Sequence, residues 1–226
     1  MTSIGKAAEK RWYQDACGTA LALEFVGERW SLLILRELMF GGRRFGEIKA
    51  QLAGISANVL TQRLAGLEEA GLLRKRTLPP PASVQVYELT TWGLEVEPIF
   101  QAMGRWALRS RRHDPTMPLS PASAMLSLRT MLDPDSIGDW RATIGFRLNG
   151  DQFLAKVADA EVAIERADPD MADVVVETDT TTLIFTIYGK QPIAAAEADG
   201  RARLTGERGV WDRFVGLFAL PAKLDD

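Results

Sequence analysis

The sequence predicts an α+β fold in two parts, a helical first half closed by one hairpin and a second half built on a mainly antiparallel sheet. Three observations lead there. Apolar residues recur at spacings of three and four through the first half and in short alternating stretches after residue 140. Between them, residues 111–121 (RRHDPTMPLSP) hold charge and three prolines with no periodicity. Charge divides at the same place: residues 1–113 carry 16 Lys and Arg against 11 Asp and Glu, and residues 114–226 carry 11 against 19. The net charge of −3 therefore hides a basic half joined to an acidic one. The expected units are 1–112, a linker at 113–121, and 122–226.

Residues 17–26 are apolar and helix-compatible up to Gly27, and 29–40 (RWSLLILRELMF) form a second apolar helix closed by Gly41 and Gly42. Phe45, Ile48 and Leu52 give a third helix one buried face. After a tight turn at Ala53-Gly54-Ile55, Ser56 is placed to cap a fourth helix by accepting a bond from a free N–H of its first turn. Leu60, Leu64 and Leu67 mark that helix's inward stripe, and Gly71 suits the left-handed residue past its end. Asn58, Gln62, Ala65 and Glu69, with Thr61 at the edge, face outward. A hairpin pairs 72–77 with 84–90 across a tip whose three prolines exclude a sheet interior. Residues 92–112 continue as an amphipathic helix with Leu94, Ile99, Met103 and Trp106 available for burial, and Pro98 near its start either kinks it or resets its first turn.

In the second half, 123–132 read as helix. Residues 141–148, 151–158 and 161–166 read as strands, with Asn149-Gly150 a hairpin turn between the first two. A fourth strand at 174–177, helices near 180–188 and 192–198, a strand at 201–205 and a helix at 210–220 complete the chain.

Two helices joined by a tight turn, followed at once by a basic hairpin, are the parts of a winged helix-turn-helix. There the second helix enters the major groove and the wing reaches the backbone beside it. The candidate DNA contacts are Arg44, Ser56, Asn58, Thr61, Gln62 and Arg63 around the helices, and Arg74, Lys75 and Arg76 as phosphate ligands on the wing. The plainer reading of the last three is a solvated charge run.

Composition excludes other chemistries. One cysteine rules out an internal disulfide framework, and the only histidine, His113, sits in a polar stretch with no partner, which argues against a Ser-His-Asp triad or a His-based metal site. No nucleophile–base pair or phosphate loop is present, so neither enzymatic activity nor a cofactor or metal is expected. No apolar run is long enough to insert in a membrane, and the N-terminus lacks a signal-peptide core, so a cytoplasmic location is expected.

The first half resembles the HxlR-type branch of the MarR-related winged-helix regulators. The resemblance rests on Cys17, GERWSLLILREL (27–38), RRFGEIKAQLAGIS (43–56), LTQRLAGLEEAGLLRKR (60–76) and VYELTTWG (86–93). It implies a homodimer on inverted-repeat double-stranded DNA operators, acting as a repressor or local activator. This chain has Pro79-Pro80-Pro81-Ala82-Ser83 where the family tends to carry an arginine at the wing tip. Some members sense quinones, aldehydes or disulfide stress through a cysteine near position 17. Cys17 is thus a candidate redox sensor, aided if Lys10 or Arg11 lies near; the alternative is a small buried hydrophobe.

The second half resembles a sterol-carrier-protein-like domain through ADVVVETDTTTLIFTIYGKQ (172–191) and AAAEADGRARLTGERGVWDRFVGLF (194–218). That resemblance implies a helix-covered five-stranded sheet enclosing an apolar tunnel, and hence a hydrophobic effector. Trp140, Phe146, Phe153, Phe185, Trp211, Phe214 and Phe218 are its candidate cavity residues, or else simply core. The alternative function is a lipid or small-molecule carrier whose winged helix makes only protein contacts.

Overall fold

Glycines, prolines and caps set most element boundaries. A computed structural model describes residues 13–224; Lys10 and Arg11 lie outside the described residues. α1 (Gly18–Val26) starts after Cys17, and none of its nine residues is buried. α2 (Ser31–Leu38) starts later than the expected 29–40, because Trp30 sits at φ 82 and a left-handed residue cannot continue a right-handed helix, and it ends at Leu38 with Met39 as its C-cap. α3 (Phe45–Gln51) and α4 (Ala57–Glu69) flank the turn, with Gly54 at φ +89. Ile48, Leu52, Leu60, Leu64 and Leu67 are at most 3% exposed, and they close this core with α2's Ile34, Leu35 and Leu38.

The hairpin pairs β1 (Leu73–Thr77) with β2 (Gln85–Leu89), from Leu73 opposite Leu89 to Thr77 opposite Gln85. The single helix expected at 92–112 is two, α5 (Thr91–Leu94) and α6 (Glu97–Leu108), with Pro98 in the first turn of α6, where it removes no helical hydrogen bond. Gly93 makes this joint: a Cβ there would lie 1.9 Å from the Leu72 carbonyl oxygen.

α7 (Pro121–Met131) begins two residues earlier than expected, capped by Ser120, so the last residues of the predicted linker belong to this helix and its cap. Then come β3 (Ala142–Leu148), β4 (Asp151–Ala158), β5 (Glu161–Glu165), β6 (Val174–Thr178), α8 (Thr180–Ile187), α9 (Ile193–Ala198), β7 (Ala202–Gly206) and α10 (Arg208–Gly216). The five strands form one sheet in the order β5-β4-β3-β6-β7. Only the central β3–β6 pairing is parallel, and its register runs from Ile144 opposite Val174 to Leu148 opposite Thr178.

Five of the seven aromatics expected at a cavity instead fill the core. Phe146, Phe153, Trp211, Phe214 and Phe218 are at most 1% exposed, and Phe214 packs 4.8 Å from Phe218 and 5.9 Å from Phe146, centroid to centroid. Trp140 lies under the Arg213 guanidinium at 4.6 Å. Of the set, Phe185 lines an apolar cavity. The reason is alternation: the inward Phe146 of β3 meets Trp211 and Phe214 of α10, the inward Phe153 of β4 meets Phe40, and interiors pack to crystal density.

The two halves share a core. Phe40 stacks edge-on against Phe153 at 5.5 Å, and Arg43 pairs with Asp151. The Arg129 guanidinium covers the Phe40 ring at 4.8 Å and pairs with Glu97 at 2.9 Å. Arg105 donates to the Thr130 carbonyl at 2.7 Å. The stretch between α6 and α7 thus spans surfaces already in contact. Among the described residues, no helix is long and apolar enough to cross a membrane.

Candidate nucleic-acid interface

The outward face of α4 is polar and open. Ser56 Oγ accepts from the Val59 N–H at 3.2 Å, fixing the helix start, and Asn58, Thr61 and Gln62 are exposed. The Thr61 hydroxyl donates back to the Ala57 carbonyl at 2.9 Å, so toward solvent it presents oxygen lone pairs. Asn58 and Gln62 offer both donor and acceptor, the combination that reads adenine bidentately. Arg44, exposed at the start of α3, donates its backbone N–H to Glu47 at 2.8 Å.

Arg63 departs from expectation. Its guanidinium pairs with Glu28 at 2.6 Å and donates to the Arg29 carbonyl at 3.1 Å, so it ties α4 to the α1–α2 junction instead of facing outward with Gln62.

The wing cations are not one cluster. Strand alternation puts Arg74 and Arg76 on one face, where both grip Glu88, at 2.8 and 2.7 Å. Burial pushes the Glu88 carboxyl up, but the two guanidinium contacts outweigh it and hold it below the usual carboxylate range. Lys75 stands on the other face, the one toward α4, 2.6 Å from Glu68, and that hydrogen bond raises its pKa. Arg76 and Glu88 border a cleft of about 420 Å³ whose far wall is Ile164, Glu165 and Arg166. Lys75 alone of the three is thus contiguous with α4. The sequence points to neither Glu28 nor Glu88, and marks Glu68 only as a surface helix residue without a role. The signal was available for Glu88, because register alone sets it opposite Arg74.

Among the described residues, several large apolar side chains of α1, α5 and α6 are left exposed. Leu21 and Leu23 on α1, Leu94 at the end of α5, and Ile99 and Met103 on α6 are each about half exposed, and Trp106 is 76% exposed. Phe25 packs edge-on to Trp92 at 5.4 Å, bringing α1 and α5 together. Cys17 is exposed at the start of α1, and the Thr19 and Ala20 N–H groups lower its thiol pKa.

Comparison with known proteins places this module. The HxlR-like helix-turn-helix family profile matches residues 25–114. The chain is 36% identical to the HTH-type transcriptional regulator YodB of Bacillus subtilis (strain 168) over 86 residues, 38% of this chain and 77% of that protein. The solved reduced form of YodB aligns over 44% of this chain and all of its own at 32% identity, with a TM-score of 0.40. The sec-alkylsulfatase Pisa1 from Pseudomonas sp. aligns over 48% of this chain and 18% of its own at 19% identity, with a TM-score of 0.44.

Proposed function

The chain belongs to the HxlR-like helix-turn-helix family of DNA-binding transcription regulators, and from that premise we propose that it works as a homodimeric repressor on an inverted-repeat operator. Two observations carry this reading: the polar surface of Asn58, Thr61 and Gln62 beside Lys75, and the exposed apolar side chains of α1 and α6 among the described residues. Asn58, Thr61 and Gln62 read base edges. Arg44, Ser56 and Lys75 hold the backbone, and Arg74 and Arg76 join them by exchanging Glu88 for phosphate. Arg63 is structural. A second copy covers Leu21, Leu23, Ile99, Met103 and Trp106, setting the two α4 helices about one DNA turn, roughly 34 Å, apart.

In this reading residues 1–112 bind DNA and the partner, 113–121 join the halves, and the sterol-carrier-like residues 122–226 take a hydrophobic effector. An effector changes operator affinity only by preferring one of two protein states. The contacts between α6 and α7 are where that preference reaches the DNA-binding half. Cys17, exposed and with a lowered thiol pKa, supports a second, redox input. The carrier reading draws on the apolar cavity beside Phe185. Selection from random DNA discriminates: enrichment of a palindrome supports the regulator, and no enriched motif leaves the carrier.

A further inference from the structure

An apolar cavity of about 450 Å³ opens between the two halves, away from the filled aromatic core. Its walls are the end of α6 at Leu108, the segment 113–119, one side of α7 at Ser123, Ser127 and Met131, and one side of α8 from Thr181 to Tyr188. The volume lies in the range of small-molecule sites, and a few convergent polar groups among apolar walls is their usual pattern.

Two of those polar groups, Ser127 and Tyr188, can be followed proton by proton. Ser127 Oγ donates its one hydrogen to the Ala124 carbonyl at 2.8 Å. Both contacts are satisfied at once when Tyr188 Oη donates to Ser127 Oγ, 3.0 Å away. Burial raises the Tyr188 pKa, so the phenol stays neutral. With its own hydrogen committed, Tyr188 Oη offers lone pairs only. Charge points the same way. Among the described residues lining the cavity there is no Lys or Arg, and Asp114 sits exposed at the rim. Burial, and then the nearby Lys223, lower the His113 pKa, so its ring is uncharged at neutral pH. A carboxylate would enter an apolar site whose lining holds no cation, past Asp114 at the rim; Lys223, 3.5 Å from His113, is already engaged by the Leu108 and Ser110 carbonyls.

We propose that this cavity binds an uncharged hydrophobic molecule carrying a hydroxyl group, a phenol or an alcohol, whose O–H donates to Tyr188 Oη. The ligand lies against Leu108 and the segment leaving α6, so occupancy acts on the helix that also carries Ile99, Met103 and Trp106. This last step rests on the regulator reading above; the binding site itself does not.

Thermal unfolding of the full chain with 2-naphthol and with 2-naphthoate tests the site without DNA. The expected result is a midpoint rise of about 3 °C with saturating naphthol and none with naphthoate. Tyr188→Phe, which keeps the ring and leaves Ser127 bonded to Ala124, should weaken naphthol about tenfold. Thr181→Trp, at an exposed position on the cavity wall, should abolish the effect without disturbing the fold. An equal or larger shift with naphthoate overturns the proposal. So does no shift with naphthol, or a shift that both variants leave intact. A selected operator then gives the second arm: naphthol should change its affinity for the wild-type chain and not for Thr181→Trp. A midpoint shift with no operator found removes the regulator reading and leaves the site standing.

Discussion

Glu37 on α2 accepts a 2.7 Å hydrogen bond from the Ser120 hydroxyl that caps α7, and its carboxylate is wholly buried. Arg36 donates to the same oxygen at 2.7 Å, while Oε2 finds no hydrogen-bond partner among the described residues. A charge so placed depends on every donor it has. Ser120 serves twice, since its oxygen also accepts the Ser123 N–H at 3.1 Å.

Ser120→Ala therefore removes a helix cap and a donor to a buried carboxylate at once. The expected loss is about 2–4 kcal/mol, combining roughly 1 for the cap with 1–3 for the stranded acceptor. Urea unfolding followed by tryptophan fluorescence should show both halves losing stability in one transition. Two separate transitions, with only the second half destabilised, would argue against the shared core.

DNA affinity should fall steeply with salt, and the two kinds of contact should separate by variant. Asn58→Ala or Gln62→Ala is expected to cost about 1–3 kcal/mol at particular base pairs. Lys75→Ala should weaken all sequences alike and lower the salt slope by about one. Arg63→Ala should act on stability more than on base preference, because its partners are Glu28 and Arg29. Fluorescence anisotropy across salt and operator variants reads the affinities of all four, and urea unfolding reads the stability lost in Arg63→Ala.

Glu88→Gln should tighten DNA binding. The change frees Arg74 and Arg76 and removes a carboxylate that would face phosphate. Because the folded Glu88 pKa is depressed, its ion pairs are intact above the ordinary carboxylate pKa of about 4.3 and fail only as pH falls through the lower folded value. The wild-type pairing therefore persists across pH 6–8, and the gain from the variant should be flat there. Unchanged or weaker binding by Glu88→Gln would mean that these arginines do not reach DNA.

His113, the only histidine, makes a clean pH probe. Its folded pKa is lowered by burial and by Lys223, with Asp114 opposing. Between that lower value and the ordinary value near 6.5 the unfolded chain binds more protons, so stability falls as pH drops through this window and is unaffected above it. His113→Gln should flatten the slope there. A slope that survives the substitution assigns the effect to other groups.

Trp106→Glu places a charge at the most exposed large apolar side chain of α6. Sedimentation should show a monomer whose operator affinity is reduced at least a hundredfold, because two half-sites are no longer read together. A variant that stays dimeric would move the interface elsewhere.

Cys17 should alkylate readily in the folded protein, since the sulfur is exposed and two backbone N–H groups favour its thiolate. Mass spectrometry after brief iodoacetamide treatment should find a single adduct, absent from Cys17→Ser. Protection of Cys17 in the DNA-free protein would favour the buried-hydrophobe alternative.

Much was legible in the sequence because the signals are local. Helix and strand positions follow from apolar spacing, the Ser56 cap from its distance to Val59, and the turns from Gly54, Gly71 and Asn149-Gly150. The alternation of Arg74, Lys75 and Arg76 was equally available, since a strand turns each successive side chain to the opposite face. What the sequence could not order is who meets whom at long range. Glu37 and Ser120 are 83 positions apart, Arg43 and Asp151 108. Seven aromatics in the second half look alike as a string. Packing alone makes five of them solid core, sets Trp140 under Arg213, and leaves Phe185 beside an opening. The sequence by itself determined the kinds of element, their order and the polar face of α4, because those depend on residues within a few positions of one another. Tertiary structure decided which cations are already paired, which apolar faces stay bare and where the cavity lies, because each is fixed by the docking of elements that no spacing along the chain relates.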